Sequence, residues 1–331
     1  MVFHLPRQVK LIYSFPMHQF LSKKSAWIFI ILALSICSLL FFDLGKTNSL
    51  LLDSIENFGH LPLFCLVAGM VLWILDRENW PCTERKNYLK AGGISSVLGV
   101  LSEIFQAFTP DRYFEVKDIY HDLFGIAIFL MVAYQYKRGL PSRARLMLNG
   151  LSLALVALAS VPVFASALDT LRTQRNFPLI SSFETRLEMD RWKSDEMHAR
   201  VPLHATHGEH SLRVDLSPGE YPGVSLSYPP RDWRGYRTLV FDAFLDGAVD
   251  LPLTVRVNDL KHNEQYDDRY NRRFLLHPGA NTIAIDLQEV EHAPKGRSMD
   301  MGNISILCLF SYNLKNFRTV YFDNFRLKNR G

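Results

Sequence analysis

Apolar residues are distributed along this chain in two different ways. Across residues 26–168 they come in long runs broken by short polar loops, and beyond residue 178 they alternate with polar residues over short stretches. A run with no polar face has no side to turn toward water, and the bilayer core needs about 20 such residues for a helical crossing. Five crossings are expected on that ground, at 26–42 and at roughly 57–75, 91–108, 118–136 and 147–168. The first is read as a span and not as a signal peptide, because Phe41-Phe42-Asp43-Leu44 follows where a small-residue cleavage site would stand. Alternation is the mark of a half-buried strand. It predicts strands at 210–216, 238–245, 253–257, 282–287, 304–310 and 319–327, separated by turns such as Ser217-Pro218-Gly219 and His277-Pro278-Gly279-Ala280-Asn281. The expected architecture is multi-domain: a cytoplasmic segment at 1–25, an α-helical transmembrane bundle of five spans at 26–168, a linker at 169–178 and an all-β jelly-roll sandwich at 179–331.

Charge sets the orientation. The loops at 1–25, 76–90 and 137–146 hold 12 Lys and Arg, against 3 in the loops at 43–56 and 109–117. Cytoplasmic loops carry the excess of basic residues, so the N-terminus is placed in the cytoplasm of an inner or plasma membrane and the β-domain in the periplasm or outside the cell. The net charge of +4 hides two unlike halves: residues 172–331 balance 22 Lys and Arg against 21 Asp and Glu, without a basic tract for nucleic acid. The cysteines are Cys37, Cys65, Cys82 and Cys308, three of them in or beside spans, which excludes a disulfide framework.

Against this background the ionisable residues at 102–129 stand out, since a charge at the centre of a span costs about 2.5–3.5 kcal/mol on the insertion scale. Glu103 and Gln106 share one helix face, and Asp118, His121, Asp122 and Gly125 recur at the i, i+3, i+4, i+7 spacing of another. Arg112 lies in the loop between, and Asn57 and His60 open the preceding span. Several readings fit: a buried ion pair that locks helices, a metal site at His60, His121 and Asp122, acid–base chemistry by Glu103 with His60 or His121, or a polar pocket for a lipid head group in which Arg112 takes the phosphate. Neither an H-E-x-x-H nor a G-x-S-x-G pattern is present, and no reaction is assigned. In the β-half, Tyr266, Arg269 and Tyr270 read as a sugar platform with Asp268 and Arg273 for the hydroxyls, or as strand-end packing.

At Glu103-Ile104-Phe105-Gln106, with Pro110, Arg112, Asp118 and Gly125 in register, the membrane half resembles the VanZ-like family over about residues 26–136. His121 stands where that family usually has Asn, while Asn57 and His60 look like its polar entry to the second span. The resemblance implies an envelope membrane protein, linked in some members to glycopeptide resistance. The soluble half resembles a carbohydrate-binding-module jelly roll of the galactose-binding type over residues 179–328. The residues that carry this are Phe183-Glu184 with Trp192, His207-Gly208-Glu209-His210-Ser211-Leu212, Asp232-Trp233-Arg234-Gly235-Tyr236, Tyr266-Asp267-Asp268-Arg269-Tyr270, Pro278-Gly279-Ala280-Asn281-Thr282 and Tyr321-Phe322-Asp323-Asn324-Phe325-Arg326-Leu327. It implies glycan binding, and a structural calcium held by Glu184 and Asp323. The combined expectation is a membrane protein that binds an envelope lipid head group or lipid-linked glycan and carries an exported glycan-binding domain. An intramembrane enzyme acting on a lipid-linked precursor, and a structural anchor for the β-domain, are the alternatives. A topology reporter fused after Gly331 should be active only outside the cytoplasm; activity of a cytoplasm-only reporter there would reverse the orientation.

Overall fold

The computed structural model describes residues 49–76, 84–106, 108 and 116–329. Four long helices, α1 (Leu50–Leu75), α2 (Arg85–Gln106), α3 (Val116–Arg138) and α4 (Ser142–Asn176), precede eleven strands. The chain divides into two compact units, one built on Glu56–Ala159 and the other on Ser160–Gly331 with the short segment ahead of Glu56. The expected span at 26–42 and the loop carrying Arg112 lie outside the described residues.

Each of the four other expected spans falls on one of these helices, but they are unlike in character. By length and composition α1 and α4 are apolar enough to cross a membrane, and among the described residues they are the two that are. The polar residues of α2 and α3 dilute their apolar runs. Ala68, Leu72, Ala91 and Ile126 are buried where α1, α2 and α3 pack together, against Phe129 and Leu130. Closest approach comes at Gly125, where a Cβ would stand 2.2 Å from the carbonyl oxygen of Leu61. Many large apolar side chains face outward instead, among them Leu89, Phe105, Leu153 and Phe164. The expected linker at 169–178 is largely helix, since α4 continues to Asn176. Its last turns are held by an ion pair of 2.9 Å from Arg191 to Asp169, both buried.

The second unit is a sandwich of two antiparallel sheets. One has the order β3 (Met197–Val201), β4 (Ser211–Leu216), β11 (Arg318–Lys328), β6 (Thr238–Leu245), β9 (Gly279–Asp286), with β1 (Leu179–Ser181) also on β11. The other has the order β2 (Trp192–Lys193), β5 (Gly223–Leu226), β10 (Ile304–Phe310), β7 (Leu251–Asp259), β8 (Tyr270–Leu276). The strands at 238–245 and 304–310 have the bounds their alternation predicts, whereas β1, β2, β3, β5 and β8 are too short or too polar to announce themselves. Between the sheets lies one core whose largest fully buried side chains are Trp192, Trp233, Phe183, Phe241, Phe322 and Phe325. Phe241 stacks on Phe325 at 4.8 Å between centroids, and Trp192 tilts against it at 5.0 Å. Such aromatic contacts add to what each ring gains by leaving water, and removal of apolar area from water is the main source of stability in a core of this kind.

Candidate functional site

In the five-stranded sheet, successive residues must face opposite sides. Leu253, Val255, Val257, Leu307, Leu309, Val224, Leu226 and Trp192 go into the core. Their neighbours are thereby forced outward, and the strand register aligns them in two rows. One row runs Lys193, Ser225, Cys308, Arg256, Asn271, and the next runs Gly223, Phe310, Thr254, Arg273. These residues floor an open cleft of about 1160 Å³. Its rim comes from loops: Tyr221 and Tyr312, whose rings tilt together at 5.3 Å, and Tyr266, under the Arg269 guanidinium at 5.3 Å. All three tyrosines are exposed.

Of the five expected sugar-platform residues, the structure brings Tyr266, Arg269 and Arg273 to this cleft and places the other two elsewhere. Tyr270 belongs to the core, because it is the first residue of β8 and faces the opposite side from Asn271. Asp268 is buried beneath the turn that carries Tyr266. There Arg297 donates from Nη2 to Asp268 at 2.9 Å and from Nη1 and Nη2 to Asp259 at 2.6 and 2.8 Å. Asp268 also accepts the backbone N–H of Asn263 at 2.9 Å. Its carboxylate thus ties Arg297 to the backbone of the turn. Sequence reasoning missed Tyr221, Arg256, Asn271 and Tyr312. Arg256 was legible, as a polar residue between the inward Val255 and Val257; the loop tyrosines have no periodic signal.

Glu184 and Asp323 sit at the other sheet, where they hold the loop before β4. Glu184 Oε1 accepts the N–H groups of Glu209 and His210 at 3.0 and 2.9 Å, and Asp323 Oδ2 accepts those of Thr206 and His207 at 2.6 and 2.8 Å. Gly208 makes this possible: its φ is +75°, and a Cβ there would come within 2.3 Å of the Glu184 carboxyl carbon. Burial pushes the Asp323 carboxyl up, countered by those N–H groups. Neither residue belongs to the group of three potential ligands drawn together among the described residues.

That group lies in the helical unit. His60 of α1 sits 3.0 Å from Asp122 Oδ1, 3.9 Å from Glu103 of α2 and 4.0 Å from Asp118, the last sharing α3 with Asp122. All four are buried, as is Gln106. Asn57 lies one turn before His60 on α1 and is half-buried. His121 turns away, its ring nitrogens facing the carbonyl oxygens of Lys117 at 3.0 Å and Ala159 at 3.3 Å. It thus lies outside the group of His60, Glu103 and Asp122, and among the described residues the convergence is one imidazole with three carboxylates.

No protein-family model matches the chain, and no curated protein matches it. Solved structures are similar to its β-part. The family 11 carbohydrate-binding module from Clostridium thermocellum, solved with a β-1,3-1,4-mixed-linked tetrasaccharide, is 18% identical over 46% of this chain and 94% of that chain, with a TM-score of 0.37. An exo-β-agarase is 14% identical over 46% and 25% of the two chains (TM-score 0.37). The CBM22-2 xylan-binding domain from Paenibacillus barcinonensis is 16% identical over 46% and 99% (TM-score 0.34).

The ion cluster under the cleft rim has a pH signature. Arg297 beside Asp268 holds its carboxyl down to about 2, below the ~3.9 of an unfolded chain. A carboxyl whose folded pKa is depressed contributes stability above the unfolded value, and that contribution is lost as pH falls through the folded one. The melting temperature of the β-unit should therefore drop between about pH 4 and pH 2, and Asp268→Asn should lower it at neutral pH while flattening that drop. An unchanged slope in Asp268→Asn would mean that other carboxylates carry the acid sensitivity.

Proposed function

We propose that this chain is a cell-envelope membrane protein whose β-sandwich binds a glycan in the cleft on the outer face of the five-stranded sheet. The observation that carries the reading is the combination in one open cleft of three exposed tyrosine rings with Ser225, Thr254, Asn271 and arginine side chains. A sugar ring has apolar C–H faces that lie flat on aromatic rings, and a belt of hydroxyls that needs donors and acceptors at fixed positions. An aromatic rim above a polar floor offers both. The membrane part is supported by α1 and α4, whose outward leucines and phenylalanines suit lipid better than water. Five spans with a cytoplasmic N-terminus, and the VanZ-like resemblance with its link to glycopeptide resistance, belong to the same reading.

A second reading concerns the helical unit and stands on the convergence of His60, Glu103, Asp118 and Asp122 from three helices. Buried ionisable groups within a membrane usually mark a ligand site or a pathway. A lipid head group, with Arg112 of the adjoining loop as its phosphate partner, is the occupant we assign to it.

Both readings are open to direct tests. The full chain in detergent should be retained on at least one of a panel of immobilised polysaccharides. Tyr266→Ala combined with Tyr312→Ala should weaken that retention at least tenfold while stability changes by less than ~0.5 kcal/mol per site, as for other exposed positions. Tyr270→Ala should instead cost about 3 kcal/mol or more, as removal of a buried aromatic ring does. Full retention by the double variant would remove the cleft as the glycan site. For the helical unit, a phospholipid that co-purifies with the wild-type protein should be depleted in Glu103→Gln with insertion and melting temperature intact; an unaltered lipid profile would leave the cluster a helix lock.

A further inference from the structure

The charges in the cleft are one-sided. Lys193, Arg256, Arg269 and Arg273 line it against a single carboxylate, Asp195. Elsewhere in this unit several arginines are matched, Arg191 with Asp169, Arg213 with Asp215, Arg234 with Asp232, Arg272 with Glu289 and Arg297 with Asp259 and Asp268, while Arg200 donates to backbone carbonyls and Arg326 forms no ion pair among the described residues. Arg272 is the telling case, because it sits between Asn271 and Arg273 on the same strand, points to the other side, and has its carboxylate there. Among the described residues none of the cleft arginines forms an ion pair. Arg256 is satisfied by uncharged acceptors, Asn258 Oδ1 and His262 Nε2, both at 3.2 Å. Nε of Arg269 and the side-chain amide of Asn271 are buried and find no hydrogen-bond partner among the described residues. Burial, and then the neighbouring Arg256, hold the Arg269 guanidinium below its usual range.

Leaving a buried donor unsatisfied costs about 1–3 kcal/mol, more for a charged one. Like charges gathered in a cleft with low-dielectric walls create a field that concentrates anions. The gathered positive charge is relieved by a ligand that brings negative charge. Building on the glycan reading above, we infer that the ligand is an anionic polysaccharide, whose carboxylate or sulfate groups are taken by Arg269, Arg273 and Lys193 while its sugar faces rest on Tyr221, Tyr266 and Tyr312. A neutral glycan would leave the guanidinium groups uncompensated. Arginine suits the task through its planar fork, which matches a carboxylate or sulfate with paired donors.

The test compares polymers that share a backbone and differ in charge, on the full chain in detergent. Polygalacturonate is set against its methyl ester, and dextran sulfate against dextran, so that carboxylate and sulfate are told apart. At least one anionic member should bind tenfold or more tightly than its neutral partner, and the difference should shrink when salt shortens the screening length from about 10 Å at 0.1 M to about 3 Å at 1 M. Arg269→Gln with Arg273→Gln should abolish the difference, whereas Arg213→Gln with Arg234→Gln, which removes the same charge away from the cleft, should keep it. Equal binding of charged and neutral partners would overturn the inference and leave the glycan reading standing. Binding of no polysaccharide would overturn both. Tighter binding of single-stranded DNA than of every polysaccharide would overturn the inference in favour of a different polymer class. Because the ester comparison uses the wild-type protein, it decides the matter even if the double variant fails to fold.

Discussion

The packing of the two sheets across Trp192, Phe241 and Phe325 is the constraint on which the site depends. It fixes which side of each strand is dry. In a strand of period two, a slip of one residue would exchange the faces, carrying Arg256 and Arg273 into the core and Val255 and Val257 out to water. Burying one unpaired charge costs several kcal/mol, so the register is enforced as strongly by what must stay outside as by what must go in. The cleft is the remainder of that requirement: the core takes one set of residues, and the polar set is left on the open face of the five-stranded sheet.

Charge is handled in contrasting ways within the β-unit. Beneath the cleft, Arg297 is clamped between Asp259 and Asp268 with bidentate geometry, which makes a rigid support out of charges that would be costly alone. Above it, Arg269 is stacked over Tyr266 and forms no ion pair among the described residues. Asp268 of that support shares the turn 262–269 with the ligand-facing Tyr266 and Arg269, so the rigidity of the first positions the others. A ligand meeting prearranged groups loses less to ordering than one that must organise them itself.

The helical unit follows different physics. Its helices have no aqueous driving force for association if lipid surrounds them, and they rely on close approach instead. Gly125 against the Leu61 carbonyl provides that contact, and one helical turn away His60 meets Asp122 at 3.0 Å. The small residue and the buried polar cluster are thus parts of one arrangement, since only closely packed backbones bring His60, Glu103 and Asp122 within reach of each other.

Local pattern determined what depends on local periodicity. The division of the chain, the helices, the strands at 238–245 and 304–310, and the shared faces of Glu103 with Gln106 and of Asp118 with Asp122 all follow from backbone geometry that repeats every 3.6 or every two residues. What has no period was not legible: the short strands β2 and β5, the rim tyrosines Tyr221 and Tyr312, and the continuation of α4 through the expected linker. Tertiary structure alone decided which of Tyr266, Asp268, Arg269, Tyr270 and Arg273 share a cleft. The reason is that the strand order β2, β5, β10, β7, β8 is set by core packing between residues far apart in sequence, and only that order lines up Lys193, Ser225, Cys308, Arg256 and Asn271 in a single row.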